Sequence, residues 1–198
     1  MTAQPRPSVR QRWLIPVLVV VISLTVGIGL LARELYRRPD AVPAEPVVSD
    51  SPTSVAPEEQ PGSPAVEVTP DVVAHPQYQS VRQVLQGYFD SINDRDYPKW
   101  TSVVSRERQK TKTATEWKKD YQSTRDGSIL VYRVEPGAPG TLRVLVAFTS
   151  TQDVDDAPVY LPESCIRWRL VLPLRLESGS WRVDTTDGGT NPEHERCS

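Results

Sequence analysis

Cysteine is nearly absent from this chain. Its 198 residues hold only Cys165 and Cys197, with no C-x-x-C pair, so zinc ligation has no support from spacing. Histidine is as scarce: His75 and His194 are the two. Ser164-Cys165 has no histidine near it in sequence, so nothing marks it as an activated nucleophile. An excess of positive charge is missing too. Residues 76–198 balance 17 basic residues with 17 acidic ones, which leaves no electrostatic footprint for nucleic acid. Lys and Arg are absent from residues 39–75, which carry Asp40, Glu45, Asp50, Glu58, Glu59, Glu67 and Asp71.

Charge of either sign is absent between Arg12 and Arg33, a run of 20 residues, WLIPVLVVVISLTVGIGLLA. At about 1.5 Å per residue, a helix of this run spans the ~30 Å hydrocarbon core of a bilayer. Trp13 and Tyr36 stand at its two ends, where amphipathic rings settle at headgroup level. Pro16 falls in the first turn, where it costs little. Soluble core helices rarely run so long uncharged, and a cleaved signal peptide has a shorter apolar region and a small-x-small cleavage site. The expectation is an uncleaved anchor over 13–32. Arg6, Arg10 and Arg12 on one side nearly balance Arg33, Arg37 and Arg38 on the other. The base-free stretch 39–75 breaks the tie. Residues 1–12 are thus expected in the cytoplasm and the domain outside, with the bilayer as partner at 13–32.

Residues 33–75 read as a juxtamembrane segment and disordered linker. Eight prolines fall between 39 and 75 with no aromatic residue, too little apolar surface to offset ordering entropy. The P-x-x-P spacings at Pro43, Pro46 and Pro61, Pro64 lack a flanking base, so the reading is a spacer.

The domain, residues 76–198, opens on a helical stripe: Val81, Val84, Leu85, Tyr88, Phe89 and Ile92 follow a 3.6-residue period. Ser80 with Gln83 fits a capping box, and Asn93-Asp94-Arg95-Asp96 stops the helix. A second helix is expected from about Pro98, carrying Trp100, Val103 and Val104. A third opens on the Thr113–Glu116 capping pattern and carries Trp117 and Tyr121. Asp126-Gly127 then reads as a turn. Strands are expected over 128–135, 141–151 and 164–177. Ser178-Gly179 makes a tight hairpin into a fourth strand, 181–186. Helices followed by an antiparallel meander make the domain α+β.

YFDSINDRDYPKW (88–100) and RWRLVLPLRLESGSWRV (167–183) together resemble the NTF2-like (SnoaL-like) superfamily over about residues 77–187. The resemblance implies a curved antiparallel sheet wrapped around helices as a cone. The order of membrane helix, linker and NTF2-like domain resembles actinobacterial Mce-associated membrane proteins, and also the VirB8-like assembly factors of secretion systems.

Enzymes of that superfamily work with Asp, Tyr or His inside the cone. Here the inward strand positions read Leu, Val, Ile, Trp and Phe, and Tyr88 and Asp90 point about 200° apart on their helix. No catalytic residue, cofactor site or metal ligand is assigned, and the expected role is a non-catalytic assembly module of the cell envelope with protein partners. Self-association stays open. The alternative is a cone for a small hydrophobic ligand, enzymatic or not, its pocket lined by Tyr88, Trp100 and Trp168. Arg143, Arg167, Arg169 and Arg175 share one strand face, which is either solvated or meets an anionic partner. Arg106, Arg108, Lys110, Lys112, Lys118 and Lys119 read as a solvated loop, the alternative being a contact with lipid headgroups. An extracytoplasmic domain favours a Cys165–Cys197 disulfide; the other reading is a buried Cys165 and a free Cys197.

Overall fold

The computed structural model describes residues 56, 59–186 and 192–197. The expected membrane helix 13–32 and the tail 1–12 lie outside them. Among the described residues no helix is long and apolar enough to cross a membrane. The chain divides into two units, Met1–Val48 and Ser49–Ser198, and all the described residues belong to the second.

The apolar stripe forms the principal helix, preceded by β1 (Val66–Val68) and the short helix α1 (Pro70–Val73); the stripe helix itself is α2 (Tyr78–Asp94). All six stripe residues are buried. The helix starts two residues ahead of Ser80, and its N-cap, Gln77, makes no side-chain cap bond, so the Ser80–Gln83 box is unused. Its stop falls where the sequence puts it: Arg95 takes the left-handed conformation at φ 57° and closes the last turn. Next come α3 (Tyr97–Val103), α4 (Arg106–Gln109) and α5 (Ala114–Asp120). Asp96 caps α3 through Lys99 N–H, and Thr113 with Glu116 caps α5 reciprocally, satisfying otherwise orphaned donors.

The sheet comes after the helices: β2 (Arg125–Pro136), β3 (Thr141–Thr151), β4 (Cys165–Glu177), β5 (Ser180–Val183) and β6 (Glu193–Arg196). The order is β1-β2-β3-β4-β5, with β6 also paired to β4. β1 runs parallel to β2 and every other pair is antiparallel. Two register shifts interrupt β2 against β3, and bulges of this kind bend a strand and increase its twist. The concave face carries Leu142, Val144 and Val146 of β3 with Leu172 and Leu174 of β4, and these join the α2 stripe in one core. Leu176, which follows Leu172 and Leu174 in the alternation, is 46% exposed beside the β4–β5 turn. In that turn Ser178 and Gly179 both take positive φ, as a tight hairpin requires.

The linker does not run to residue 75: Val66 and Val72 are core residues, and β1 pairs with Ile129–Val131. Asp126-Gly127 is not a turn but the start of β2, with Asp126 opposite Ser150. Gly127 is needed there for close approach. A Cβ on it would sit 2.6 Å from the Gly62 carbonyl oxygen and 2.7 Å from that of Pro61. Ser128 secures the same segment, its Oγ donating to Pro61 O at 2.8 Å and its N–H to Ser63 O at 2.8 Å.

β6 lies along β4, and Cys197 is joined to Cys165 with Cα atoms 5.4 Å apart; no cysteine is free.

Candidate functional site

The concave face is not uniformly apolar. Toward one end of β3 and β4 the inward positions become Phe148, Ser150, Trp168 and Leu170, and the facing strand contributes Asp126. With Tyr88, Phe89 and Ile92 of α2, Arg108 of α4 and Tyr121 after α5, they line a cavity of about 430 Å³. That lies within the ~300–1,000 Å³ usual for small-molecule sites.

Asp126 is 4% exposed. Its peptide is pinned on both edges by Asn93: Oδ1 accepts the Asp126 N–H at 2.7 Å, and Nδ2 donates to the Asp126 carbonyl at 2.9 Å. Ser150, its partner across the strands, donates its hydroxyl to Asp126 Oδ1. Burial pushes this carboxyl up to about 7, against the opposing pull of the Ser150 hydrogen bond. Taking a carboxylate out of water disfavours its charged form, so the group is neutral in acid and titrates near neutrality.

A second polar group shares the lining. Arg108 lies in the four-residue helix α4, whose N-cap Ser105 accepts the Arg108 N–H. Its Nη1 donates to the Asp184 carbonyl at 2.6 Å and its Nη2 to the Tyr88 hydroxyl at 2.9 Å, with the guanidinium 5.3 Å from the Tyr88 ring centre. Tyr121 joins this pair: the neighbouring Tyr88 phenol, together with burial of the Tyr121 hydroxyl, holds Tyr121 well above its ordinary pKa. The Asp184 carboxylate is engaged elsewhere. Burial alone would raise its pKa, but hydrogen bonds from Ser105 and Arg175 outweigh burial and lower it.

The apolar wall is aromatic. Phe89 meets Phe148 edge-on at 5.0 Å and Tyr88 at 5.4 Å. At the rim the His194 ring lies 5.6 Å from both Trp168 and Tyr160. His194 is exposed, and His75 stands before α2, away from the lining.

Of the expected pocket residues, Tyr88 and Trp168 line the cavity and Trp100 does not. Trp100 is 2% exposed and belongs to a cluster with Tyr97, Trp117 and Tyr121, its ring 5.4 Å from Tyr97 and 5.7 Å from Trp117. The four expected arginines do share a face, the one opposite the cavity, because odd-numbered residues of β3 and β4 pair in register. Arg143 meets Glu135 at 3.1 Å, Arg175 meets Asp184 at 2.6 Å and Arg167 approaches Glu195 at 3.9 Å. Arg169 is paired in register with Glu193.

Asp126, Asn93, Ser150, Arg108 and Tyr121 were not expected as site residues. Arg108 belongs to a basic run that reads as a solvated loop, yet it lines the cavity, whereas Arg106 and Lys110 are exposed. A wider groove of about 1020 Å³ runs along the other side of α2, past Gln83, Lys99, Ser102 and Trp181. Lys99 there is paired with Asp90 at 3.1 Å and Asp94 at 3.5 Å, and none of the lining residues is a buried titratable group. The buried carboxyl Asp126 lines the smaller cavity.

No protein-family model matches the sequence, and no curated protein is significantly similar to it. Among solved structures, the chain is similar to a ketosteroid isomerase-like protein from Erwinia carotovora atroseptica SCRI1043. The two are 12% identical with a TM-score of 0.39, over 55% of this chain and 92% of that one. A likeness this weak does not bear on the chemistry of the cavity.

Proposed function

We propose that this chain is a membrane-anchored, extracytoplasmic domain whose NTF2-like cone binds a small ligand. The apolar body of the ligand lies against Phe89, Phe148, Trp168, Leu170 and Leu172. Its polar end meets Asp126 with Ser150, or Arg108 with Tyr88. The observation that carries this reading is Asp126, a buried carboxyl whose second oxygen has no partner among the described residues, facing a cavity of about 430 Å³. A cone that served only as a packed scaffold would be more stable with an apolar residue there. Ligand binding therefore takes precedence over the assembly role that an all-apolar interior favoured.

Anchoring and placement rest on the uncharged run 13–32 and the base-free stretch after it. The Cys165–Cys197 bond supports them, since disulfides persist outside reducing compartments. Acid–base catalysis is the second reading, favoured by one observation: a carboxyl at about 7 suits proton transfer at neutral pH.

Native mass spectrometry on the full chain, extracted from membranes in mild detergent, tests the ligand-binding reading. The expected result is a retained small molecule that is released on unfolding and is absent from Leu170→Trp, which fills the cavity. A chain that retains nothing, and that takes up a hydrophobic fluorescent probe no better than its filled variant, overturns the proposal.

A further inference from the structure

Arg108 is the cation of the cavity lining, and no carboxylate balances it among the described residues. Each nearby acid is committed elsewhere. Asp120 pairs with Lys112. Asp156 is held by Ser123 and Gln122, and those hydrogen bonds lower its pKa. Asp184 gives its carboxylate to Ser105 and Arg175 and only its main-chain carbonyl to Arg108. Asp126 gives one oxygen to Ser150, and below about pH 7, where its carboxyl is protonated, it brings no charge to Arg108.

A guanidinium has five N–H donors. The Asp184 carbonyl and the Tyr88 hydroxyl take one each, so three remain. The group is also held in place: Ser105 caps its helix, and its central carbon lies over the Tyr88 ring. A half-buried, oriented fork with spare donors matches one planar anion better than it matches a neutral hydroxyl or a cation. Beyond the fork the lining is Phe89, Phe148, Trp168, Leu170 and Leu172, which offers an apolar tail its burial.

We propose that the ligand of this cavity is a small amphiphile with a single carboxylate head, the head on Arg108 and the Tyr88 hydroxyl and the tail among the aromatic wall. The inference rests on the ligand-binding reading above and names the chemical class.

The test compares three probes of one chain length: octanoate, octanol and octylammonium. Each is titrated into the full chain in lipid nanodiscs at pH 6, with empty nanodiscs subtracted, and binding is read by calorimetry and by tryptophan fluorescence. Octanoate is expected to bind roughly tenfold or more tighter than octanol, the worth of a charge-assisted hydrogen-bonded pair, and octylammonium weakest. Arg108→Gln is expected to remove the preference while octanol still binds, and Arg108→Lys to restore part of it. Leu170→Trp is expected to weaken all three probes without changing their order. Octanol binding as tightly as octanoate, or octylammonium tighter than both, overturns the carboxylate and leaves the cavity reading standing. Saturable binding of none of the three overturns both. A preference for octanoate that survives Arg108→Gln in a folded variant, checked by circular dichroism, overturns the assignment to Arg108.

Discussion

Replacing Asp126 with Asn isolates the buried carboxyl. Asn keeps the size and an oxygen to accept from Ser150, but it cannot ionise. In the folded protein the Asp126 carboxyl titrates near 7, against 3.8 for an ordinary aspartate. Between these values the folded state holds a proton that the unfolded state has released. Stability therefore falls as pH rises: the contribution is complete below about 3.8, declines across the window and is lost above about 7. At about 1.4 kcal/mol per unit, the whole window is worth on the order of 4 kcal/mol. The variant has no such slope. Other shifted groups, such as Asp184 with its lowered pKa, contribute equally to both proteins and cancel in the difference. Urea unfolding of the full chain in nanodiscs, followed by tryptophan fluorescence at pH 5, 6, 7 and 8, reads that difference. Asp126→Asn is expected to gain about 2–3 kcal/mol relative to the parent between pH 5 and 7, then to hold the gain. Curves that stay parallel at every pH would mean that Asp126 is ionised and solvated in the folded protein, and the cavity would lose the group that defines it.

Other changes probe the surroundings. Phe89 is 1% exposed, so Phe89→Ala is expected to cost roughly 3–5 kcal/mol in urea unfolding, and a near-neutral result would show that the α2 stripe does not bear on the sheet. Reducing the Cys165–Cys197 bond, whose ends lie 32 residues apart, is expected to cost roughly 3–4 kcal/mol in the chain-entropy picture, measured as the shift in urea midpoint with and without reductant. Alkylation of the unreduced chain followed by intact mass is expected to label no thiol. Gly127→Ala drives a methyl into the Pro61 and Gly62 carbonyls and is expected to destabilise by about 1–3 kcal/mol; protease cleavage between residues 59 and 66 should speed up, and unchanged cleavage would mean that this segment is not held by Gly127.

Much of the fold was legible because it rests on local periodicity. The stripe from Val81 to Ile92 marks one helix face, and Thr113 with Glu116 marks a helix start by chemistry that acts over three residues. The bounds of β3 follow from its alternation. What escaped depends on distant partners. Asp126-Gly127 carries turn chemistry wherever it occurs, and only the arrival of Pro61 and Gly62 turns the glycine into a point of close approach. Asn93 reads as a helix stop because its two bonds go to a residue 33 positions away. Arg108 sits in a helix too short to show a period, so nothing in its neighbours sets it apart from Arg106 and Lys110. Val66 and Val72 hide in a proline-rich composition, although β1 needs only three residues to join the sheet. The site was therefore less legible than the fold: its apolar wall follows the alternation, whereas its polar groups come from positions that break the pattern.

The way the sheet ends bears on how its strand edges are covered. Its long strands, β2, β3 and β4, run 11 to 13 residues. Left bare, the outer rims of β2 and β4 would be rows of unpaired amides, ready to template intermolecular sheets. Neither rim is left whole. β1 takes three residues of β2, and the stretch beyond carries Arg133, Glu135 and Pro136, two charges and a residue that cannot donate. β5 and β6 divide the rim of β4 between its two ends, four residues each. The disulfide from Cys165 to Cys197 fastens the second of these patches. A bond that looks like a staple for stability is thus also a guard against aggregation, since unfastening it would expose the Ile166–Arg169 rim to a strand from a neighbouring molecule.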